Sequence, residues 1–172
     1  MNLQSDDFEL FGVPRRFAQE RSALDARWKE LQREAHPDRF AAQGAAAQRV
    51  AMQWSVRINE AYQRLKDPLR RAAYLCELQG APIRAEDNTR MPAQFLMQQM
   101  EWREALDEAD SAAQIDELDR EVQQTRSAAL AHCAQLMDEQ GDFVAAAQQV
   151  RALMFIARFG EDIERRQDQL GQ

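Results

Sequence analysis

A histidine, a proline and an aspartate stand together at His36, Pro37 and Asp38, between two stretches whose apolar residues recur at helical spacing. Imidazole and carboxylate groups exchange protons, ligate metals or make directional hydrogen bonds. Proline disfavours the helical conformation of the residue before it, so the first helix is expected to stop near His36. Both polar side chains are therefore predicted to project at a helix end and to form a recognition tip.

The flanking residues predict two amphipathic helices. Before the tripeptide, the apolar stripe is Leu24, Trp28, Leu31 and Ala35. After a loop that contains Gly44, a second stripe follows, made of Val50, Trp54, Ile58, Ala61 and Leu65. The tripeptide is thus predicted to lie at the turn of a helical hairpin.

The first helix has a cationic flank. With about 100° of rotation per residue, Lys29, Arg33 and His36 fall on one side of the wheel. Arg27 and Glu34 lie on the other side, so the cationic side is the one that continues into the tripeptide. Two interpretations stay open, a solvated face that keeps the helix soluble and a docking surface for a partner.

These residues do not favour catalysis or metal binding. The chain has one other histidine, His132, and no set of nucleophile, base and orienting group is visible. Glycine-rich phosphate loops are absent, and Cys76 and Cys133 lack partners at metal-ligand spacing. We therefore expect a protein that is not an enzyme, has no cofactor or bound metal, and holds its cysteines as buried small hydrophobes.

Composition limits the remaining classes. The 172 residues are 45% apolar and 30% charged, and no stretch approaches the roughly 20 apolar residues of a membrane span. A cytoplasmic protein is expected. Residues 1–80 contain 13 basic against 11 acidic residues, whereas residues 81–172 contain 9 against 18, so the net charges are +2 and −9. An acidic second half argues against general nucleic-acid binding.

Glycine and proline near residues 79–83 predict a boundary between two domains. Three helices are expected beyond it. The first has Pro92 in its first turn and continues to about Ala109, the second is capped by Ser111 and ends before Gly141, and the third starts at Asp142. The sequence predicts an all-α protein with a first domain at 1–78, made of the helical hairpin and flanking short helices, a linker at 79–91 and an antiparallel three-helix bundle at 92–172.

The first helix of the predicted bundle has more apolar residues than one core stripe needs. Phe95, Trp102 and Leu106 account for the core side. Other side chains lie off it, namely Leu96, Met97 and Met100, beside Glu104, with Glu101 and Arg103 as weaker candidates. On the last helix the inward stripe is predicted as Val150, Met154 and Ala157, which leaves Phe155 surplus. The surplus residues either form a partner surface or widen the buried faces.

Four segments carry a family resemblance. They are Phe8–Pro14, Gln32–Phe40, Ile58–Leu65 and Leu65–Leu75. In order and spacing the first seventy residues resemble the J-domain family of co-chaperones. The last segment is similar to an extension found in one branch, the HscB-type iron-sulfur co-chaperones, in their bacterial form.

The resemblance implies a function for the tripeptide with its cationic flank and for the surplus apolar residues of the bundle. It implies that the J-domain stimulates the ATPase of an HscA/DnaK-class chaperone, and that the bundle binds an IscU-type iron-sulfur scaffold protein. The residues implied for the chaperone are His36, Pro37, Asp38, Lys29, Arg33 and Arg39. Those implied for the scaffold are Leu96, Met97, Met100, Glu104 and Phe155. Two alternatives remain, an adaptor for a different client and a helical scaffold with an incidental tripeptide.

One residue departs from the family pattern. Asp25 is an acid near the start of a helix that is more basic in J-domains. The departure predicts a weaker electrostatic attraction to the chaperone, or one shifted towards Lys29, Arg33 and Arg39.

Overall fold

The computed structural model describes residues 2–84 and 91–171. Within these two ranges the regular secondary structure is helical, and no strand is present. The predicted all-α class is confirmed. Seven α-helices are present in these ranges: α1 (Asp7–Phe11), α2 (Arg21–Ala35), α3 (Ala45–Lys66), α4 (Pro68–Leu78), α5 (Ala93–Glu108), α6 (Ala112–Ala134) and α7 (Phe143–Leu170). No helix of the described residues combines the length and the apolarity that crossing a membrane requires.

The chain divides into two compact units between Leu75 and Cys76, within α4. The predicted linker at 79–91 begins just after this helix. Its described part, residues 79–84 and Met91, has no regular secondary structure, and residues 85–90 lie outside the described residues. The assignment of 1–78, 79–91 and 92–172 to separate functions stays a prediction.

Local sequence explains both ends of α1. The Asp6 carboxylate accepts a hydrogen bond from the Glu9 backbone N–H at 2.9 Å, which caps the helix start. Gly12 ends it with a φ of 65°, a left-handed conformation that glycine adopts at little cost. Between these caps, Phe8 and Phe11 are almost fully buried and pack the short helix into the first unit.

A buried carboxylate ties α1 to α3. Asp7 is 0% exposed, and its oxygens lie 2.8 Å from Arg57 and 2.6 Å from Arg64. Its backbone N–H donates to the Tyr74 hydroxyl of α4 at 3.1 Å. A buried charge is tolerated only when it is paired and hydrogen-bonded, and both conditions are met here.

The predicted hairpin is formed by α2 and α3, joined by a 3₁₀ helix at Pro37–Gln43. In α3 the inward stripe differs from the prediction at its start. Val50 is 51% exposed, and Ala51 takes the core position one residue later. The stripe then continues through Ile58, Ala61 and Leu65, as predicted. A helical stripe is wide enough that spacing alone does not decide between adjacent residues at its edge.

The second unit is a three-helix arrangement in which α6 runs against its two neighbours. Phe95 of α5 contacts Phe155 of α7, and Arg103 pairs with Asp162, so these two helices advance together. By contrast, Gln98 pairs with Glu121 across α5 and α6. The Gln167 amide, near the end of α7, donates to Asp116, near the start of α6. These pairs give the antiparallel bundle that the sequence predicts.

The predicted helix caps of this unit are present. The Ser111 hydroxyl accepts from the Gln114 N–H, and the Asp142 carboxylate accepts from the Ala145 N–H. Pro92 precedes α5 as its N-cap and is not in its first turn. The end of α6 continues into a π-helical turn at Gln135–Glu139, before Gly141.

The inward stripe of α7 is wrong at two of its three predicted positions. Val150 is buried, but Met154 is only half-buried and Ala157 is exposed. The buried apolar positions are Ala146, Ala147, Val150, Ala152, Leu153, Ile156, Phe159 and Ile163. Because α7 packs on both α5 and α6, its buried face is wider than one stripe and turns around the helix.

Both cysteines are buried and free, as predicted for small hydrophobes. Burial raises the pKa of Cys76 to about 11 and that of Cys133 to about 12. Such thiols remain protonated at neutral pH and are poor nucleophiles and metal ligands.

Replacing Asp7 with Asn tests the link between α1 and α3. The amide cannot neutralise Arg57 and Arg64, so we expect a loss of about 3 kcal/mol of unfolding free energy, the lower end for broken buried pairs because Arg64 is partly exposed. Urea denaturation followed by circular dichroism measures this loss.

The matched control is Glu9→Gln, which removes an exposed carboxylate from the same helix. We expect a change within about 0.5 kcal/mol for it. Equal stability of the two variants would contradict a structural role for the buried charge.

Candidate functional site

The tripeptide lies where α2 ends. His36 follows Ala35 with φ −60° and ψ 128°, an extended conformation that agrees with the proline after it. Pro37 then begins the 3₁₀ helix. The His36 side chain is 59% exposed and that of Asp38 is 91% exposed, so the predicted projection from the surface is confirmed.

The imidazole caps the 3₁₀ helix. His36 Nδ1 accepts a hydrogen bond from the Asp38 backbone N–H at 3.2 Å. An accepting Nδ1 places the proton of a neutral ring on Nε2, which is then the donor of the ring. The Asp38 Oδ2 atom is 3.7 Å from Nδ1, too far for a hydrogen bond between the side chains. The pair therefore offers one donor and one carboxylate to a partner.

A shallow cleft continues from the tripeptide along α2. Its lining residues are Trp28, Lys29, Gln32, Arg33, His36 and Arg39. The structure thus brings together the cations that the helical wheel placed on one flank. Arg39 also donates to the Arg33 carbonyl oxygen at 3.4 Å, which holds its stem near the end of the helix. Their part in binding stays a prediction.

Metal chemistry finds no support at this tip. Across residues 2–84 and 91–171, no three side chains of His, Cys, Asp or Glu are grouped closely enough to hold a metal ion.

The acid that departs from the basic pattern has partners inside its own unit. Asp25 Oδ1 accepts from the Tyr62 hydroxyl at 2.5 Å and from Arg21 Nε at 2.9 Å. These hydrogen bonds lower the pKa of the Asp25 carboxyl, Tyr62 contributing first and Arg21 second. The sequence did not reveal this role, because Tyr62 lies 37 residues away.

The methionine surface on α5 is exposed as predicted. Met97 is 68% and Met100 75% exposed, and Leu96 is 37% exposed beside them. Glu104 is exposed on the same side of the helix. The core side is formed by Phe95, Trp102 and Leu106, as predicted. Flexible thioethers in contact with solvent suit an irregular partner surface.

Phe155 differs from the other members of this predicted site. It is half-buried, and its ring packs edge-on against Phe95 at 5.8 Å and stacks on Phe159 at 5.9 Å. Trp102 extends the same aromatic cluster. The ring is therefore not surplus to the core, and only its outer part is available to a partner.

Arg103 is also occupied. Its guanidinium lies 2.9 Å from Asp162 and 5.1 Å from the centre of the Phe159 ring. These contacts link α5 to α7 and explain the cation on an otherwise apolar and acidic surface. Glu101 is exposed and remains a weaker candidate.

One apolar groove was not predicted. It lies on the flank of the hairpin away from Lys29, and its walls include Leu31, Phe40, Val50 and Trp54. The spacing of Val50 and Trp54 fits the stripe of α3 and predicts both in the core, but Val50 is exposed and Trp54 is half-buried. The one feature of the sequence that could have indicated the exposure of Val50 is its position at the start of that stripe.

Comparison with known proteins adds a family profile and close relatives. The profile described as the HSCB C-terminal oligomerisation domain matches residues 91–164. A protein of Bordetella petrii named co-chaperone protein HscB homolog is 48% identical over 92% of this chain and 94% of its own length. A Burkholderia thailandensis protein of the same name is 48% identical over 95% of this chain and 94% of its own.

Solved structures agree with this result. Chaperone HscB from Vibrio cholerae has a TM-score of 0.83 and 39% identity, and covers 96% of this chain and 99% of its own. The human co-chaperone protein HscB has a TM-score of 0.88 and 29% identity over 95% of this chain and 83% of its own. The fold and the sequence therefore identify the same family.

Single substitutions distinguish surface from core at the methionine site. We expect Met97→Ala and Met100→Ala to change the unfolding free energy by less than about 0.5 kcal/mol, because both side chains are mostly in solvent. Phe155→Ala removes contacts with two rings and is expected to cost about 2–3 kcal/mol, less than a fully buried phenylalanine. Urea denaturation of the three variants compares these losses, and a large loss for Met100→Ala would show that the surface is core.

Proposed function

Because this chain belongs to the HscB family of co-chaperones, we propose that it stimulates the ATPase of an HscA/DnaK-class chaperone and delivers an IscU-type iron-sulfur scaffold protein to it. The proposal places the protein in the cytoplasm and gives it no catalytic step of its own. Its first unit binds the chaperone, and its second unit binds the scaffold during cluster assembly and transfer.

The observation that carries the proposal is the exposed tripeptide at the end of α2. His36 and Asp38 stabilise no core, since more than half of each side chain is in solvent. The extended backbone before Pro37 holds them in a defined direction. A polar, preorganised and unburied pair is what a specific protein contact requires.

Stimulation of ATP hydrolysis then follows from differential binding. The chain offers no nucleophile or metal cluster at the tip, so the reacting groups belong to the chaperone. A ligand shifts an equilibrium between two conformations only by the difference in its affinity for them. The tripeptide and the cationic flank would therefore bind best to the chaperone conformation in which hydrolysis is fast.

The methionine surface supports the second half of the proposal. Met97, Met100 and Leu96 form an exposed apolar strip on one helix, with Glu104 at its edge. Apolar residues grouped in this way cost solubility unless a partner covers them. A scaffold protein with an apolar patch and a nearby cation would match the strip. The main rival is a different client on the same surface.

The tripeptide is tested by His36→Gln and Asp38→Asn. We expect each variant to lose nearly all stimulation of the chaperone ATPase in single-turnover assays, because each removes a directional contact at the tip. Thermal unfolding should shift by only a degree or two, since exposed substitutions stay within about 0.5 kcal/mol.

The control is Glu34→Gln, which changes an exposed carboxylate two residues before His36 on the opposite flank of α2. It should stimulate hydrolysis like the unmodified protein. Normal stimulation by either tripeptide variant would disprove the assignment of the tip.

The scaffold surface is tested by the triple variant Leu96→Ala, Met97→Ala and Met100→Ala. We expect it to lose at least tenfold in affinity for the IscU-type scaffold in calorimetry, while chaperone stimulation in the absence of scaffold stays unchanged. Phe155 is left in place because its removal would disturb the aromatic cluster.

Val144→Ala is the matched control, because Val144 is 70% exposed in the same unit but lies at the start of α7. Unchanged scaffold affinity in the triple variant would disprove the proposed surface. Loss of self-association in sedimentation, with scaffold binding intact, would assign the strip to contacts between copies of the chain.

A further inference from the structure

Asp25 is an acid on the helix that carries the cationic flank. Its carboxylate is used inside the unit, because Tyr62 and Arg21 both donate to the same oxygen. The Tyr62 ring also stacks on Trp28, with ring centres 4.7 Å apart and planes 17° apart. Trp28 lines the cationic cleft, and the Tyr62 ring packs against it. This stack therefore holds the Tyr62 hydroxyl in place beside Asp25.

A second polar link joins the same two helices two turns later. The Gln32 amide donates to the Ser55 carbonyl oxygen at 3.1 Å, and the Ser55 hydroxyl donates to Gln32 Oε1 at 2.7 Å. Residues seven apart lie on nearly the same side of a helix, so Asp25 and Gln32 share one stripe. Lys29 lies between them, and the two links bracket the cationic turn.

Apolar packing alone constrains α2 weakly. Leu24 and Leu31 are its only buried residues, and apolar contact has little directional preference. Hydrogen bonds, by contrast, weaken steeply when donor and acceptor lose alignment. A rotation of α2 about its own axis would break both polar links before it exposed much apolar surface.

We propose that Asp25 is a positioning residue that fixes the rotation of α2 about its axis. Through Tyr62 it directs one face of the helix outward, the face that presents Lys29, Arg33 and His36 together. The inference rests on the proposed function in that this face is the one that binds the chaperone. Asp25 acts through these side chains and makes no contact of its own with the partner.

The alternative is that Asp25 is only an unfavourable negative charge. In that case Asp25→Ala and Asp25→Asn would both bind the chaperone more tightly, most clearly at low salt. A positioning role predicts the opposite order. Asp25→Ala has no acceptor for Tyr62 and should bind more weakly, whereas the amide oxygen of Asp25→Asn still accepts and should preserve the affinity.

Tyr62→Phe removes the same hydrogen bond without changing any charge. It keeps the ring that stacks on Trp28. We expect the concentration of this protein that half-maximally stimulates the chaperone ATPase to rise about three- to tenfold, with the maximal rate unchanged, because only a fraction of its molecules then presents the correct face. Loss of the maximal rate with unchanged half-saturation would overturn the proposal.

The matched control is Glu30→Ala, on the outward side of the same helix and paired only with Arg27 of α2. If only the negative charge mattered, Glu30→Ala and Asp25→Ala would both bind the chaperone more tightly. As a positioning effect, Asp25→Ala should weaken binding about three- to tenfold, while Glu30→Ala should leave it unchanged or tighter. Tighter binding by both variants would overturn the proposal.

A measurement without any partner separates this inference from the proposed function. In the full chain, residual dipolar couplings of the α2 amides report its rotation, and the indole N–H resonance of Trp28 reports the stack on Tyr62. We expect Tyr62→Phe and Asp25→Ala to shift both in the same direction and Asp25→Asn to match the unmodified protein. Unchanged couplings in Asp25→Ala would overturn the positioning role, even if the chaperone assay fails for every variant.

Discussion

The first unit depends on one buried charge. Asp7 is the only acidic residue buried in the described chain; two arginines of α3 pair with its carboxylate, and its backbone N–H donates to a tyrosine hydroxyl of α4. These contacts fix a five-residue helix that is too short to be stable alone. Once α1 is held, Phe8 and Phe11 fill the space beside the hairpin. The Phe11 ring also stacks on Tyr62 of α3, which connects α1 to the hairpin.

The two candidate binding surfaces use different physics. Around His36 the contacts are charged and directional, and salt screens the exposed cations over about 8–10 Å near physiological ionic strength. Around Met100 the surface is apolar and adaptable, and its contribution scales with the area removed from water. A chain with both features can hold two partners by interactions that respond to different conditions.

Several features were predictable because their causes are local. Pro37 ends α2 at Ala35, and Ser111 and Asp142 cap their helices through hydrogen bonds to residues three positions away. The exposure of Met97 and Met100 follows from their angle to Phe95 and Trp102 on the same helix. The family resemblance was predictable for the same reason. It rests on runs of adjacent residues and on their order along the chain, so it requires no knowledge of distant contacts.

What the sequence by itself determined is therefore the two helices of the hairpin and the three of the bundle, most of their ends, the exposed tripeptide and the exposed methionines, all of which depend on neighbours within about one turn or on helical period. Only the tertiary structure decided the partners of Asp7 and Asp25, which lie 57 and 37 residues away at Arg64 and Tyr62. It also decided that Phe155 packs in an aromatic cluster and that Val50 faces solvent. Periodicity indicates which side of a helix is buried, but the neighbour that covers it, and how widely, is set by packing between elements distant in sequence.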